Sequence, residues 1–291
     1  MIITKKSTPF PKFTVEKSGE FVQSSCFNHQ IHLLQKSCNV IKYNNQQEKQ
    51  MSKTIGILGG MGPEATVYLF NLIVKLTKAG KDQEHIPVIV FNNPKIPDRT
   101  EAITGQGISP LPDLIEGAKR LERAGADFLI MPCVTAHYFY HEIIKNIEIP
   151  FLHLIEEVPA YFKKEHDNLK RIGLLATVGT IQSGLFQEIF NKNGLEIVVP
   201  GEGRQELLMQ ALYQEEGVKS GYKELPKKMM TEVVRELIDE QKAEAVIAGC
   251  TEIPLVLNQA DMEVPFVNPL RILAEKSILK AGYGVSPAPG Y

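Results

Sequence analysis

The sequence has little cysteine, no strong charge of one sign and no long apolar run, and each shortage removes a class of protein. Cysteine stands at only four positions, 26, 38, 133 and 250, and none forms a CxxC pair. That spacing argues against a zinc or other metal site. A disulfide framework is not expected either, in a chain of this length without a signal peptide. The expected state is reduced thiols in the cytoplasm. The formal net charge is −2 over 291 residues, so the whole chain offers no field for a nucleic acid. No apolar run approaches the roughly 20 residues that cross a bilayer, so no membrane partner is expected. What is present, 43% hydrophobic and 23% charged residues, is the composition of an ordinary globular protein.

Arginine is missing from residues 1–50, which hold seven Lys against three Glu, a net of +4. This segment is rich in Ser, Asn, Gln and Lys, and its apolar patches are short. Such a composition is expected to form a disordered extension that takes no part in chemistry. Met51 looks like the natural start of the folded unit. The body carries 25 basic and 31 acidic residues, a net of −6.

From residue 53 short apolar runs alternate with longer amphipathic stretches. The runs 54–58, 88–91, 128–131, 151–154, 171–175, 196–199, 245–248 and 266–267 are nearly continuous in Val, Ile, Leu, Phe and Ala. Strands buried on both faces of a parallel sheet read this way. Helical patterns fall between them, over 64–78, 111–124 and 225–241. The alternation predicts an α/β fold with parallel sheets.

The body also repeats. Lys53-Thr-Ile-Gly-Ile-Leu58 resembles Lys170-Arg-Ile-Gly-Leu-Leu175, an offset of 117. Gly125-Ala-Asp-Phe-Leu-Ile-Met-Pro-Cys133 resembles Lys242-Ala-Glu-Ala-Val-Ile-Ala-Gly-Cys250 at the same offset. Ile149-Pro-Phe151 returns as Val264-Pro-Phe266, offset by 115. Three landmarks in one order predict two similar lobes, each a parallel sheet flanked by helices, with the active site in the cleft between them. Lobe one is expected over 51–155 plus about 267–283, and lobe two over 156–266.

Each of Cys133 and Cys250 follows a strand at its carboxyl end, where open α/β sheets bind ligands. Each also precedes an expected helix start, whose N-terminus lowers a thiol pKa. If the lobes face each other, so do the thiols. One thiolate can then remove a proton from a carbon while the opposite thiol delivers one, inverting its configuration. Removing a proton beside a carboxylate requires fixed donors to hold that carboxylate as charge spreads into it. Gly59-Gly-Met-Gly-Pro63 supplies candidate backbone donors at a helix start. It is neither GxGxxG in a dinucleotide setting nor a P-loop. Thr177-Val-Gly-Thr180 occupies the matching turn of lobe two. Arg99, in a Pro-rich loop after a strand, suits bidentate carboxylate binding.

Gly59-Gly-Met-Gly-Pro-Glu-Ala-Thr66, Asn92-Asn-Pro-Lys-Ile-Pro-Asp-Arg-Thr100, Met131-Pro-Cys-Val-Thr-Ala-His137, Leu175-Ala-Thr-Val-Gly-Thr180 and Ala248-Gly-Cys-Thr-Glu-Ile-Pro254 together resemble the aspartate racemase branch of the aspartate/glutamate racemase superfamily. The resemblance covers about residues 53–283. It implies cofactor-independent racemisation of aspartate or glutamate, without pyridoxal phosphate, in a homodimer. Cys133 and Cys250 match the paired catalytic thiols. Arg99 and Lys219 match groups that hold substrate carboxylates; from its own surroundings in sequence, Lys219 reads only as a surface lysine. Thr135, Thr177 and Thr180 match polar groups lining the site, and Thr251 and Met61 in the same motifs complete the expected substrate-binding set. His137 reads as a helix-start or supporting group rather than a base. Relatives with one thiol perform decarboxylation or cis–trans isomerisation, and the presence of both thiols disfavours these. One departure stands out: the family usually has Asn directly after the first Cys, and here it is Val134. This keeps open an alternative, a catalytically weak protein that binds or senses an amino acid on the racemase scaffold.

Overall fold

The computed structural model describes residues 52–287; the expected extension over 1–50 and the start at Met51 lie outside them. Among the described residues, seven short strands form two sheets. The first holds β1 (Ile55–Gly59), β2 (Val88–Asn92) and β3 (Phe128–Ile130) in the order β2-β1-β3. The second holds β4 (Arg171–Leu175), β5 (Glu196–Val198), β6 (Ala245–Ala248) and β7 (Phe266–Val267) in the order β5-β4-β6-β7. Every pairing is parallel. The strands that repeat in sequence hold equivalent places: β1 and β4 are interior strands, and β3 and β6 lie beside them.

One expected strand, over 151–154, is reduced to a single parallel bridge between Leu129 and Phe151. Its equivalent, β7, pairs through two residues. The reason lies in the next amide along. Leu152 N–H still reaches the carbonyl of Leu129 at 3.0 Å, but Leu154 N–H is taken by the His137 ring at 3.2 Å. The ladder ends where a side chain replaces its partner strand.

Alternation along the strands fills three cores. Ile55, Ile57, Phe128 and Ile130 of the first sheet share one apolar cluster with Ile172, Leu174, Ala245 and Ile247 of the second. The opposite faces pack outward: Leu58 and Leu129 into one cluster, Leu175, Val246 and Ala248 into another. Burying each large apolar side chain is worth about 1.5–3 kcal/mol, so both sheets are held from both sides.

The helices fill out these clusters, some in the shared one and some in the outward ones. α1 (Pro63–Leu76) begins with Pro63 in its first turn, where the missing N–H is no loss, and buries Ala65, Leu69, Leu72, Ile73 and Leu76 at helical spacing. α2 (Arg99–Ile103) is a short helix capped by the Asp98 side chain. α3 (Leu111–Arg123) lies so close to β1 that a Cβ on Gly117 would stand 2.6 Å from the Leu58 side chain. α4 (Tyr140–Ile144), α5 (Val158–Glu165), α6 (Val178–Gln182), α7 (Leu185–Asn191) and α8 (Glu202–Tyr213) follow in chain order. α9 (Glu224–Asp239) packs on α8 and covers the outer face of the second sheet with Met230, Val233, Val234 and Leu237. α10 (Pro269–Lys280) leaves β7 and returns to pack on α1. Among the described residues no helix is long and apolar enough to cross a membrane.

Candidate active site

Both thiols emerge just beyond a strand end, Cys133 after β3 and Cys250 after β6. They line one small cavity with Met61, Arg99, Thr100, Val134 and Thr135 from the first sheet's side. Thr177, Tyr213, Lys219, Thr251 and Glu252 come from the second. Eight of the nine residues expected from the sequence as catalytic or substrate-binding line it; the ninth, Thr180, does not, and its hydroxyl stands 2.8 Å from that of Thr135. The cavity measures about 10 Å³, room for roughly one water molecule. A larger cavity of about 580 Å³ adjoins it through the shared residues Thr100 and Tyr213, and Asp98, Glu101 and Met209 line its far wall.

Two expectations about the thiols' surroundings need correction. The helix starts after them are short 3-10 turns, Thr135–Phe139 and Ile253–Leu255, too small to carry a large dipole. Two amides of the glycine loop are taken by the protein itself. Gly60 N–H bonds the Thr66 hydroxyl at 2.9 Å, and Gly62 N–H reaches Glu252 at 3.2 Å. Gly60 needs its positive φ of 104°, and a Cβ there would collide with the Asn93 backbone at 2.4 Å. The loop's tightness is structural, and the local field comes from charged side chains.

Arg99 is the first of them. It sits in the first turn of α2, not in a loop, because Asp98 accepts the Glu101 N–H at 3.0 Å and starts a helix there. Its Nη1 donates to the carbonyls of Pro97 at 2.9 Å and Ile96 at 3.2 Å. Nη2 lies 3.5 Å from the Met61 carbonyl, and buried Nε has no hydrogen-bond partner. One edge of the fork is thus pinned by backbone while Nε stays available to a ligand. Burial opposes the charge, but the neighbouring Cys133 sulfur and Asp98 outweigh it and hold the guanidinium pKa above its ordinary value.

Lys219, a surface residue by its sequence surroundings, is drawn into the cavity by a carboxylate outside the expected set. Glu252 is only 4% exposed. Its Oε1 accepts from Lys219 Nζ at 2.7 Å and from Gly62 N–H at 3.2 Å; its Oε2 accepts the Cys250 S–H at 3.0 Å. The Thr251 hydroxyl lies 3.2 Å from both Oε2 and the Pro132 carbonyl. Burial would raise the Glu252 pKa, but Lys219 and the other donors lower it below the usual carboxylate range. Burial likewise opposes the Lys219 charge, and Glu252 and Cys250 more than restore it. Cys250 is pushed well up, first by burial and then by the Glu252 charge, against a smaller pull from Lys219. The residue was visible in the motif Cys250-Thr-Glu252; the signal was a carboxylate beside a thiol in an otherwise apolar run.

The threonines form a chain across the two lobes. Thr135 Oγ1 lies 2.8 Å from Thr180 Oγ1 and 3.2 Å from Thr177 Oγ1. Thr177 also caps α6, its hydroxyl accepting the Thr180 N–H. His137 is fully enclosed. Its Nε2 accepts the Leu154 N–H, so Nδ1 carries the proton and donates to the Cys133 carbonyl at 2.8 Å. Burial lowers its pKa to about 4, so it stays neutral near neutral pH. It fixes the backbone of the first thiol, consistent with a supporting group.

The sequence matches the Asp/Glu/Hydantoin racemase family over residues 58–276. The chain belongs to this family. Racemisation of an amino acid, an isomerase activity, comes with it. The chain is similar to the broad specificity amino-acid racemase RacX of Bacillus subtilis, 29% identical over 77% of this chain and 96% of that protein. Its fold is similar to the aspartate racemase of Picrophilus torridus, with a TM-score of 0.69 and 30% identity over 80% of this chain and 96% of the other. It is also similar to an aspartate racemase homologue from Pyrococcus horikoshii, with a TM-score of 0.63 and 26% identity over 79% of this chain and 99% of the other. Both lobes of this racemase therefore have counterparts in solved relatives.

Proposed function

We propose that this racemase inverts an acidic amino acid, aspartate or glutamate, without a cofactor, using Cys133 and Cys250 as opposed acid and base. The observation that carries the proposal is the single cavity into which both thiols and two cations converge. In one direction the Cys133 thiolate removes the α-proton while the Cys250 thiol protonates the opposite face; in the other the roles exchange. Arg99 holds a carboxylate through its unpartnered Nε and through Nη2, whose 3.5 Å contact with the Met61 carbonyl is its longest. Lys219 faces the second carboxylate while still bonded to Glu252. Thr135, Thr177 and Thr251 bound the polar end, Thr180 holds the hydroxyls of Thr135 and Thr177, and Met61 closes the wall beside Arg99. A substrate is larger than the present cavity, so the site opens on binding, and the adjoining cavity past Thr100 and Tyr213 is the approach.

A homodimer is part of the proposal. Val67, Phe70 and Val74 leave one apolar stripe of α1 exposed, a face that a second copy would cover. Light scattering checks it.

The deciding experiment incubates the protein with single L-amino acids in heavy water and follows deuterium at Cα and the D-enantiomer by chiral chromatography. L-aspartate or L-glutamate is expected to gain deuterium and invert. If only neutral or basic amino acids invert, the acidic substrate is wrong. If every amino acid is inert and one of them raises the melting temperature, the binding reading that Val134 supports takes its place.

A further inference from the structure

The two thiols share a cavity but not a neighbourhood. At the 117-residue offset of the repeat, the position two beyond Cys133 is Thr135 and the position two beyond Cys250 is Glu252. A hydroxyl stands beside one thiol and a carboxylate beside the other. We propose that Glu252 is a positioning residue that keeps the proton of the thiol pair on Cys250 between turnovers, so that the resting protein presents Cys250 as the acid and Cys133 as the base. This rests on the two-thiol reading above.

The hydrogen bond itself carries the inference. Cys250 Sγ lies 3.0 Å from Glu252 Oε2, and only a protonated thiol can donate there. A thiolate at that distance would face a second anion. Glu252 is held as the anion instead, because the Lys219 ammonium and the Gly62 amide both donate to its Oε1. The other groups facing Cys250 do not reverse the balance. Lys219 favours a thiolate, but its Nζ bonds Glu252 Oε1 at 2.7 Å, whereas Oε2 lies against the sulfur at 3.0 Å, so the carboxylate outweighs the ammonium there. Tyr213 is a phenol whose pKa is raised by burial, and it carries no charge near neutral pH. From lobe one come Cys133 and Arg99, and the Arg99 charge lies against the Cys133 sulfur. Burial of Cys250 acts in the same direction as Glu252.

The proton balance is simple. The α-proton passes to the Cys133 thiolate, and the Cys250 proton passes to the opposite face of the carbon. The protein is left with a Cys133 thiol and a Cys250 thiolate beside Glu252. Exchange with water then returns it to the resting form. Because enantiomers have equal energy, kcat/KM must be equal in the two directions whatever Glu252 does. The bias shows in the thiols, not in that ratio.

The test is therefore thiol labelling by iodoacetamide across pH, read peptide by peptide by mass spectrometry on the full chain. In the Cys133→Ser background, Glu252→Gln is expected to speed labelling of Cys250 at neutral pH by about tenfold or more, the effect of removing one adjacent like charge. Glu252→Asp is expected to restore slow labelling. In the Cys250→Ser background, Glu252→Gln is expected to leave Cys133 labelling within about twofold of its starting rate, since the carboxylate contacts only the other thiol. Unchanged labelling of Cys250, or equal acceleration of both thiols, overturns the proposal. Should Glu252→Gln fail to fold, Lys219→Gln serves instead: with Glu252 unpaired, Cys250 labelling must slow, and a faster rate overturns the proposal. Racemisation that survives Cys250→Ser would end the two-thiol reading while leaving the labelling result standing.

Discussion

The two lobes keep one backbone plan and diverge in the chemistry they hang on it. Each places a thiol just beyond a strand next to its interior parallel strand, and each follows that thiol with a short 3-10 turn. Lobe one surrounds its thiol with a guanidinium, a buried valine and a neutral histidine. Lobe two surrounds its thiol with a carboxylate, a lysine and a threonine hydroxyl. Symmetry of frame brings the sulfurs to one cavity. Asymmetry of side chains gives each sulfur a different electrostatic setting. A duplicated scaffold can thus hold two like groups around one carbon without making them equivalent.

The largest expected effect comes from removing either thiol. Cys133→Ser and Cys250→Ser are each expected to lower racemisation by about 10²–10⁴-fold, the usual contribution of a positioned acid or base. A serine hydroxyl does not ionise to replace a thiolate. The comparison sharpens in proton NMR in heavy water: each variant, with one thiol left, should exchange the α-proton of a different enantiomer. Near wild-type racemisation in either variant would break the pairing of the lobes.

The cations differ next. Arg99 is pinned along one edge by the Ile96 and Pro97 carbonyls, whereas Lys219 is a point charge held by Glu252. Arg99→Lys is expected to reduce kcat/KM by about tenfold or more, because an ammonium cannot reproduce the planar fork. Lys219→Arg keeps a cation but must reseat Glu252, and a smaller loss is expected. Steady-state kinetics of both variants gives the order; a larger loss at Lys219 would reverse it.

Acid should separate the lobes by stability. His137 and His153 are buried in lobe one with rings 4.8 Å apart, and burial lowers their pKa values to about 4 and about 3. The unfolded chain binds protons at these residues below about pH 6.5 and the folded chain does not, so stability is full above that pH and falls as pH drops toward 4. His137 alone contributes about 3 kcal/mol to this loss. From His137 alone the melting temperature should fall by roughly 6–12 °C between pH 6.5 and 4, and His153 adds to the fall. Hydrogen exchange should show the amides near Cys133 and Leu154 opening first. A flat melting curve over that range would mean the histidines are already charged or solvated.

How much of this was legible in sequence follows from what each feature depends on. Near-continuous apolar runs located β1 to β7, although only β1, β3 and β6 are buried throughout and the edge strand β2 leaves Val90 exposed. The run over 151–154 was overread, since nothing in its own residues says that His137, seventeen positions earlier, takes the Leu154 amide. The thiols, Arg99 and the threonines were found through motifs. Glu252 was not singled out, and Lys219 looked exposed, for one common reason. Each is explained only by the other, across 33 residues of intervening chain. Local pattern cannot show a pair formed by folding. The glycine loop misled in the same way, as its amides look free until a carboxylate 190 positions away receives one.

Val134→Asn carries the smallest expected effect and bears most directly on the contrast between lobes. Val134 is 2% exposed; it lines the cavity directly after Cys133 and also touches the core between the sheets. Its counterpart after Cys250 is Thr251, which places a hydroxyl against Glu252 and the Pro132 carbonyl. Lobe two therefore has a polar group where lobe one has an apolar one. An asparagine amide at 134 is close to valine in volume but must find hydrogen-bond partners, and a substrate's polar end would supply them. In the free protein those partners are missing, so the melting temperature should drop by a few degrees, from about 1–3 kcal/mol of unsatisfied polar group. On adding substrate the deficit should close, and KM for a dicarboxylate should fall by about threefold to tenfold with kcat nearly unchanged. A substituted protein that is destabilised equally with and without substrate would show that position 134 faces only the core, and that the polar contrast between the lobes has no bearing on what the site binds.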